Sequence, residues 1–288
     1  MSLARGGSNP LIPTIAFLID NCYNIYNMAE SIAVVIPAYN EEKYIGLTLE
    51  SLYACALPDS QVNVVVINNV STDRTDEVVN LFSIDHPDFP LSIIDEPNKG
   101  TGIACNTGFR YSIDQLGADI IARTDSDTIL SRGWLKVIES TFVENKIARL
   151  ITGPVKPLRD EWYRAIDSFA FPMSQQISRM LMAPKLHTLP TKRLLTPGHN
   201  MATKSSTYET VDGFPASSID DTNEDIEFRS KVVEKFGLES LDFSDEMIVY
   251  TSMRRMRQVG YLGLLSYYGN KSNREKRLKA SKGIIDVR

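Results

Sequence analysis

"ADIIARTDSDTIL" (residues 118–130) joins a short apolar run to two aspartates separated by one residue. Read alone, Asp125-Ser126-Asp127 is either a carboxylate pair for a cation or a turn held by side-chain hydrogen bonds to the backbone. The chain carries 20 aspartates in 288 residues, so chance places on the order of one such triplet in it. What surrounds the stretch therefore decides its meaning.

Upstream, "SIAVVIP" (31–37), "VNVVVI" (62–67) and "LSIID" (91–95) are short, β-branched, apolar runs that predict buried strands, and "ADIIAR" (118–123) predicts a fourth. Helical segments are expected between them. In "NEEKYIGLTLESLYACAL" (40–57), Asn40 is a candidate cap, Glu41 and Glu42 suit the first turn, and Ile45, Leu49, Leu52 and Ala56 share a face. "STDRTDEVVNLF" (71–82) opens on capping residues, and "NKGTGIACNTGFRYSIDQLG" (98–117) is a glycine-rich entry into a helix. Strand and helix alternating at this spacing imply an α/β chain with a doubly wound, mostly parallel sheet. Ligands of such sheets bind beyond the carboxyl ends of the strands. Ala38-Tyr39-Asn40, Asn68-Asn69, Asn98-Lys99 and Asp125-Asp127 all fall at strand carboxyl ends, so one polar rim is expected.

A second region follows. "GWLKVIESTFV" (133–143) predicts a helix, "IARLITG" (147–153) a strand, and "EWYRAIDSFAFPMSQQISRMLM" (161–182) a long helix interrupted near Pro172. "GHNMATKSSTYETVDGFP" (198–215) predicts a short strand and a helix ending at Gly213, and "SIDDTNEDIEFRSKVVEKFG" (218–237) an acidic loop entering a helix.

The net charge of −5 hides an asymmetry: residues 254–288 hold ten Lys/Arg against two acids, about +8, which leaves about −13 for the rest. The tail reads as a solvated helix or as a surface for phosphate or anionic membrane. No nucleic-acid partner is expected. Three separated cysteines, Cys22, Cys55 and Cys105, fit free thiols in a reducing, cytoplasmic setting, with peripheral contact at the inner membrane face as the use the tail would allow. "LIPTIAFLI" (11–19) is too short for a membrane helix and is expected to pack. His86, His187 and His199 lack metal-ligand spacing, which argues against a zinc site.

In order along residues 31–260, "VVIPAYNEEKYIGLTLESL", "VVVINNVSTDRTDEVV", "NKGTGIACNTGFR", "IIARTDSDTILSRGWL", "TPGHNMATKSSTYETVDGF", "NEDIEF" and "YTSMRRMRQVG" resemble the successive motifs of a family 2 glycosyltransferase of the GT-A fold. The resemblance implies a nucleotide-sugar-binding half (31–130), an acceptor-binding and catalytic-base half (131–253), an N-terminal extension (1–30) and a basic C-terminal helical tail (254–288). It implies a metal-dependent inverting enzyme that moves a sugar from a UDP- or GDP-type donor to a hydroxyl of a glycan, lipid or small molecule. Asp127 is the implied direct ligand of Mn²⁺ or Mg²⁺, with Asp125 nearer the sugar-nucleotide. Pro37, Ala38, Tyr39, Glu41 and Asn68 are the implied nucleotide contacts and Asp225 the implied base, with Glu224 beside it; Lys99, and Arg254 or Arg255, are candidates to supply charge to the donor diphosphate.

The residue types suit this chemistry. Hard carboxylate ligands hold a divalent ion that offsets charge on a departing diphosphate, and a carboxylate can take the proton of an attacking hydroxyl. Adjacent helical residues point about 100° apart, so one of Glu224 and Asp225 is expected to face the reaction. Thr222-x-x-Asp225 also reads as a capping box, and a helix N-terminus would keep Asp225 ionised. Three positions depart from the family pattern. Asn68 stands for aspartate and can donate as well as accept, which leaves the nucleobase open. Val70 stands for glycine, so its turn is expected to avoid a positive φ. Cys105 stands for arginine and reads as packing. A nucleotidyltransferase is the first alternative, weakened by the acidic "PAYNEEKYIG" where a basic triphosphate loop would lie; a non-catalytic nucleotide-sugar- or glycan-binding module on the same fold is the second.

Overall fold

The computed structural model describes residues 30–161, 163–173, 198–215, 224–254 and 257. The segment 11–19, Cys22, Arg255, Thr222, most of the helix expected at 161–182 and nearly all of the basic tail lie outside the described residues.

β1 (Ile32–Ala38), β2 (Val62–Asn68), β3 (Leu91–Asp95) and β4 (Ile120–Thr124) pair in parallel in the order β3-β2-β1-β4. The sheet does not stop at residue 130. Beside β4 it continues through β8 (Asn200–Lys204), antiparallel to β4, then β6 (Leu150–Thr152), antiparallel to β8, and β9 (Leu241–Phe243), parallel to β6. The expected donor and acceptor halves therefore share one sheet. β5 (Thr128–Leu130), β10 (Val249–Thr251) and β7 (Val155–Pro157) form a second, small sheet directly after the Asp125–Asp127 triplet.

Both faces of the main sheet are covered, which explains the continuous apolar runs. Ile32, Val34 and Ile36 pack with Ile45, Leu49 and Leu52 of α1 (Ile45–Tyr53), Val79 and Phe82 of α2 (Thr75–Asp85), and Trp134, Ile138 and Phe142 of α4 (Trp134–Glu144). On the other face Ala33 and Val35 pack with Ala104, Cys105 and Phe109 of α3 (Thr101–Asp114), Tyr208 of α5 (Ser205–Thr210), and Phe228 and Val232 of α6 (Glu224–Phe236). Each fully buried branched side chain contributes roughly 1.5–3 kcal/mol. α3 can lie this close because Gly108 has no side chain: a Cβ there would sit 2.4 Å from Val35 Cγ1.

Two local expectations fail. Asn40 does not cap α1, which starts at Ile45 after Tyr44. Its backbone is left-handed (φ 54°), and its side-chain oxygen accepts from the Thr72 amide at 2.7 Å, tying the β1 end to the β2–α2 loop. Val70 takes a positive φ of 63°. Its neighbours override the steric preference: Ser71 N–H donates to Asn68 Oδ1 at 3.3 Å, and the buried Asn69 amide bonds the carbonyls of Glu96 and Asn98 and accepts from Gly100 N.

Candidate active site

The strand ends converge as the sequence predicts. Pro37 and Ala38 close β1, and the next residue, Tyr39, accepts a 2.7 Å bond from Lys99 Nζ, whose ammonium also lies 4.0 Å from the Tyr39 ring centre. At the end of β2, Asn68 Nδ2 donates to Asp95 Oδ1 at 2.9 Å across the β2–β3 pair. Asp95 was not singled out by the motifs. Its position as the last residue of "LSIID" is the signal that could have found it.

The Asp125–Asp127 triplet is a turn between β4 and β5, so the strand does not run through it. The buried Thr48 of α1 fixes the turn: its hydroxyl donates to the Ser126 carbonyl at 2.8 Å and accepts from Thr128 N at 3.3 Å. The two carboxylates have different partners. Asp125 lies 3.4 Å from Arg123 Nη2, and Asp127 lies 3.1 Å from Arg254 Nη2.

Arg254 also pairs with Glu41, which is 3% exposed. Glu41 thus faces a guanidinium from the far end of the chain, and its amide donates to Thr75 Oγ1. Burial works against the Arg254 charge, but Asp127 and Glu41 outweigh it and raise its pKa. The backbone before Arg254 is anchored separately: Ser252 N donates to the Asp127 carbonyl at 3.3 Å, and Ser252 Oγ and Tyr44 OH both donate to Asp160 Oδ2, at 2.6 and 3.0 Å.

Across the cleft from Asp125, Glu224 and Asp225 open α6. Glu224 is buried and pairs with Arg123 Nη2 at 3.1 Å. Asp225 turns elsewhere, accepting from Gly198 N at 2.9 Å and Ile226 N at 2.7 Å. The helix N-terminus does not keep Asp225 strongly acidic. Burial and the neighbouring Glu224 charge push its pKa up to about 7, against the opposing pull of Arg123 and the two amides.

Arg123 is the residue the motifs missed. It is 2% exposed, on a strand otherwise apolar up to Thr124, and its Nη2 meets both Asp125 and Glu224. Burial opposes its charge, but the carboxylates of Asp125, Glu224 and Asp225 hold it firmly protonated. Gly198 lets the backbone approach the guanidinium: a Cβ there would lie 2.9 Å from it and would have to shift Arg123. A lone arginine in "ADIIAR" was the available signal, since a charge in a doubly covered strand demands partners. Cys105 behaves as packing: it is fully buried and its thiol is pushed up to about 12.

No group of three potential metal ligands occurs among the described residues. Two carboxylates at the rim still fit a hard divalent ion of the kind completed by substrate phosphates and water. No helix of the described residues is long and apolar enough to cross a membrane.

A mixed α/β sheet with this rim is the architecture of the GT-A glycosyltransferases. A family model described as "Glycosyl transferase family 2" matches residues 33–211, and the chain belongs to that family. It is 36% identical over 105 residues to the probable glycosyltransferase YdaM of Bacillus subtilis, covering 35% of this chain and 24% of that protein. It is 33% identical over 105 residues to glycosyltransferase AglE of Haloferax volcanii, covering 36% and 33%. These matches thus span a third or less of the relatives' length. Among solved structures, the mannosyltransferase PcManGT of Pyrobaculum calidifontis, in complex with GDP-Man and Mn²⁺, superposes with a TM-score of 0.58 at 16% identity, over 96% of this chain and 86% of that one. S. aureus TarS 1-349 in complex with UDP-GlcNAc superposes with a TM-score of 0.58 at 18% identity, over 78% and 59%.

Proposed function

We propose that this chain is a divalent-metal-dependent, inverting glycosyltransferase that moves a sugar from a nucleoside-diphosphate donor to an acceptor hydroxyl. The observation that supports the reading best is the bridge made by Arg123, whose Nη2 meets Glu224 at 3.1 Å and Asp125 at 3.4 Å, so that the helix-start carboxylates and the Asp125–Asp127 turn share one cleft. Tyr39, Lys99, Asn68 and Asp95 would receive the nucleoside. Asp127, with Asp125, would hold the ion, which supplies positive charge to the departing diphosphate. Arg254 would pair with the same diphosphate, a task for which a guanidinium fork is suited.

Asp225 would take the proton of the acceptor hydroxyl as its oxygen bonds the anomeric carbon and the bond to the diphosphate oxygen breaks. A pKa near 7 suits a group that must be free of its proton at neutral pH and still basic enough to accept one. One base and a single displacement on the face opposite the leaving group invert the anomeric centre. Family membership favours glycosyl over nucleotidyl transfer.

The test is a panel of UDP- and GDP-sugars with Mn²⁺ or with EDTA, scored for nucleoside diphosphate release. Release from one donor class, lost with EDTA and in Asp127→Ala, is expected. No release from any donor would favour a non-catalytic binding module, and EDTA-resistant release would remove the metal.

A further inference from the structure

We propose that Arg254 is a tethered cation that occupies Asp127 until the divalent ion arrives with the donor, and then transfers to the donor diphosphate, so that metal and nucleotide bind as a coupled pair. The inference rests on the metal reading above and adds a residue that controls when the metal can bind.

Three observations and one chemical argument carry it. Arg254 Nη2 contacts Asp127 Oδ2 at 3.1 Å and also pairs with Glu41, so one guanidinium neutralises a carboxylate from each side of the rim. Its side chain is 13% exposed, which leaves little water to screen it. A divalent ion on Asp127 would therefore sit beside an unscreened like charge, and the two cations exclude one another. Second, the backbone under Arg254 has its own anchors. Ser252, Tyr44 and Asp160 hold it through hydrogen bonds that do not involve the guanidinium. The side chain can change partners while β10 stays in place.

Third, no group of three potential metal ligands occurs among the described residues, and Glu41, the further carboxylate at this rim, is held by Arg254 itself. The ion alone would gain few ligands from the described residues and would have to displace Arg254. Fourth, a diphosphate answers both deficits. Its oxygens supply ligands to the ion, and its charge gives the displaced guanidinium a bidentate seat. Ion and nucleotide then each raise the affinity of the other by the same factor.

Titration of Mn²⁺ by the electron paramagnetic resonance signal of the free ion tests this on the full chain. Wild type, Arg254→Gln, Arg254→Lys and Asp127→Ala are each measured alone and with UDP or GDP. Wild type is expected to bind Mn²⁺ weakly alone and at least about ten-fold more tightly with the nucleoside diphosphate it accepts. Arg254→Gln is expected to bind Mn²⁺ alone about ten-fold more tightly than wild type, since the competing charge is gone, and to bind the nucleoside diphosphate about ten-fold more weakly. Arg254→Lys keeps the charge and loses the fork. It is expected to fall between the two on both measures, and it carries the test should Arg254→Gln fail to fold. Unchanged or weaker Mn²⁺ binding by both Arg254 variants, with wild-type coupling intact, would overturn the competition. Asp127→Ala separates the two claims: if it binds Mn²⁺ as wild type does, the metal assignment itself fails and the inference falls with it.

Discussion

Replacing Arg123 with methionine should cost this fold much of its stability, and the structure says why. Glu224 is 6% exposed, and Arg123 Nη2 is its ion-pair partner among the described residues, at 3.1 Å. Removing the guanidinium leaves that carboxylate buried without a counter-charge, which costs about 3–5 kcal/mol. For a domain of this size the loss lowers Tm by roughly 6–20 °C. Glu224→Gln should cost less, on the order of 1–2 kcal/mol, because Arg123 keeps Asp125 at 3.4 Å. In Arg123→Met/Glu224→Gln no buried charge is stranded by the first change. The double variant should therefore be more stable than the sum of the single costs implies, by about 2 kcal/mol. Urea denaturation of the four proteins at one pH closes the cycle. An Arg123→Met cost within about 1 kcal/mol of zero, or strictly additive costs, would refute the view that Arg123 and Glu224 form a coupled buried pair.

Three further outcomes follow from single positions. Asp225 has a folded pKa of about 7 against an ordinary 3.8, so the native state holds the extra proton between those values and loses stability as pH rises through that window. Turnover should fall as pH drops below about 7, and Asp225→Asn should lower it ~10²-fold or more while being more stable than wild type at pH 8 and not at pH 4. An acid limb near pH 4 would contradict the burial argument. Val70→Gly should raise stability by roughly 0.5–1 kcal/mol in thermal melts, because a β-branched residue is held at φ 63°; a destabilised variant would mean that its side chain, 42% exposed, packs more usefully than the strain costs. Gly153→Ala should cost about 3 kcal/mol or more, since its Cβ would lie 2.0 Å from the Met247 carbonyl oxygen, where backbone rather than a side chain must yield; soluble protein with wild-type stability would refute this.

The sheet was legible because its strands are buried on both faces. Residues 32–36 and 64–67 show no polar alternation to blur the reading, and the helices between them carry a single apolar face. The rim was legible for the same reason: polar residues appear where the apolar runs stop. What escaped depends on contacts between distant segments. Nothing local to Glu41 announces Arg254, 213 positions away, and the acidic look of "NEE" pointed to a helix start instead. Asn40 was read as a cap because its type suits one, yet Thr72 from the next loop claims its oxygen. The continuity of the sheet past residue 130 rests on β8 pairing with β4 from 76 residues further on, which no local periodicity encodes. Asp225 shows the limit for chemistry. Its place at a helix start was readable, but its proton affinity depends on burial and on Glu224 facing Arg123.

Anomalous diffraction from crystals grown with Mn²⁺ and the nucleoside diphosphate that the donor panel releases would locate the ion relative to Asp127 and Arg254. One manganese peak is expected within coordination distance of an Asp127 carboxylate oxygen and of diphosphate oxygens, with Arg254 moved from Asp127 onto the nucleotide. Bound nucleotide with no manganese at Asp127, and Arg254 still paired with Asp127 and Glu41, would contradict it.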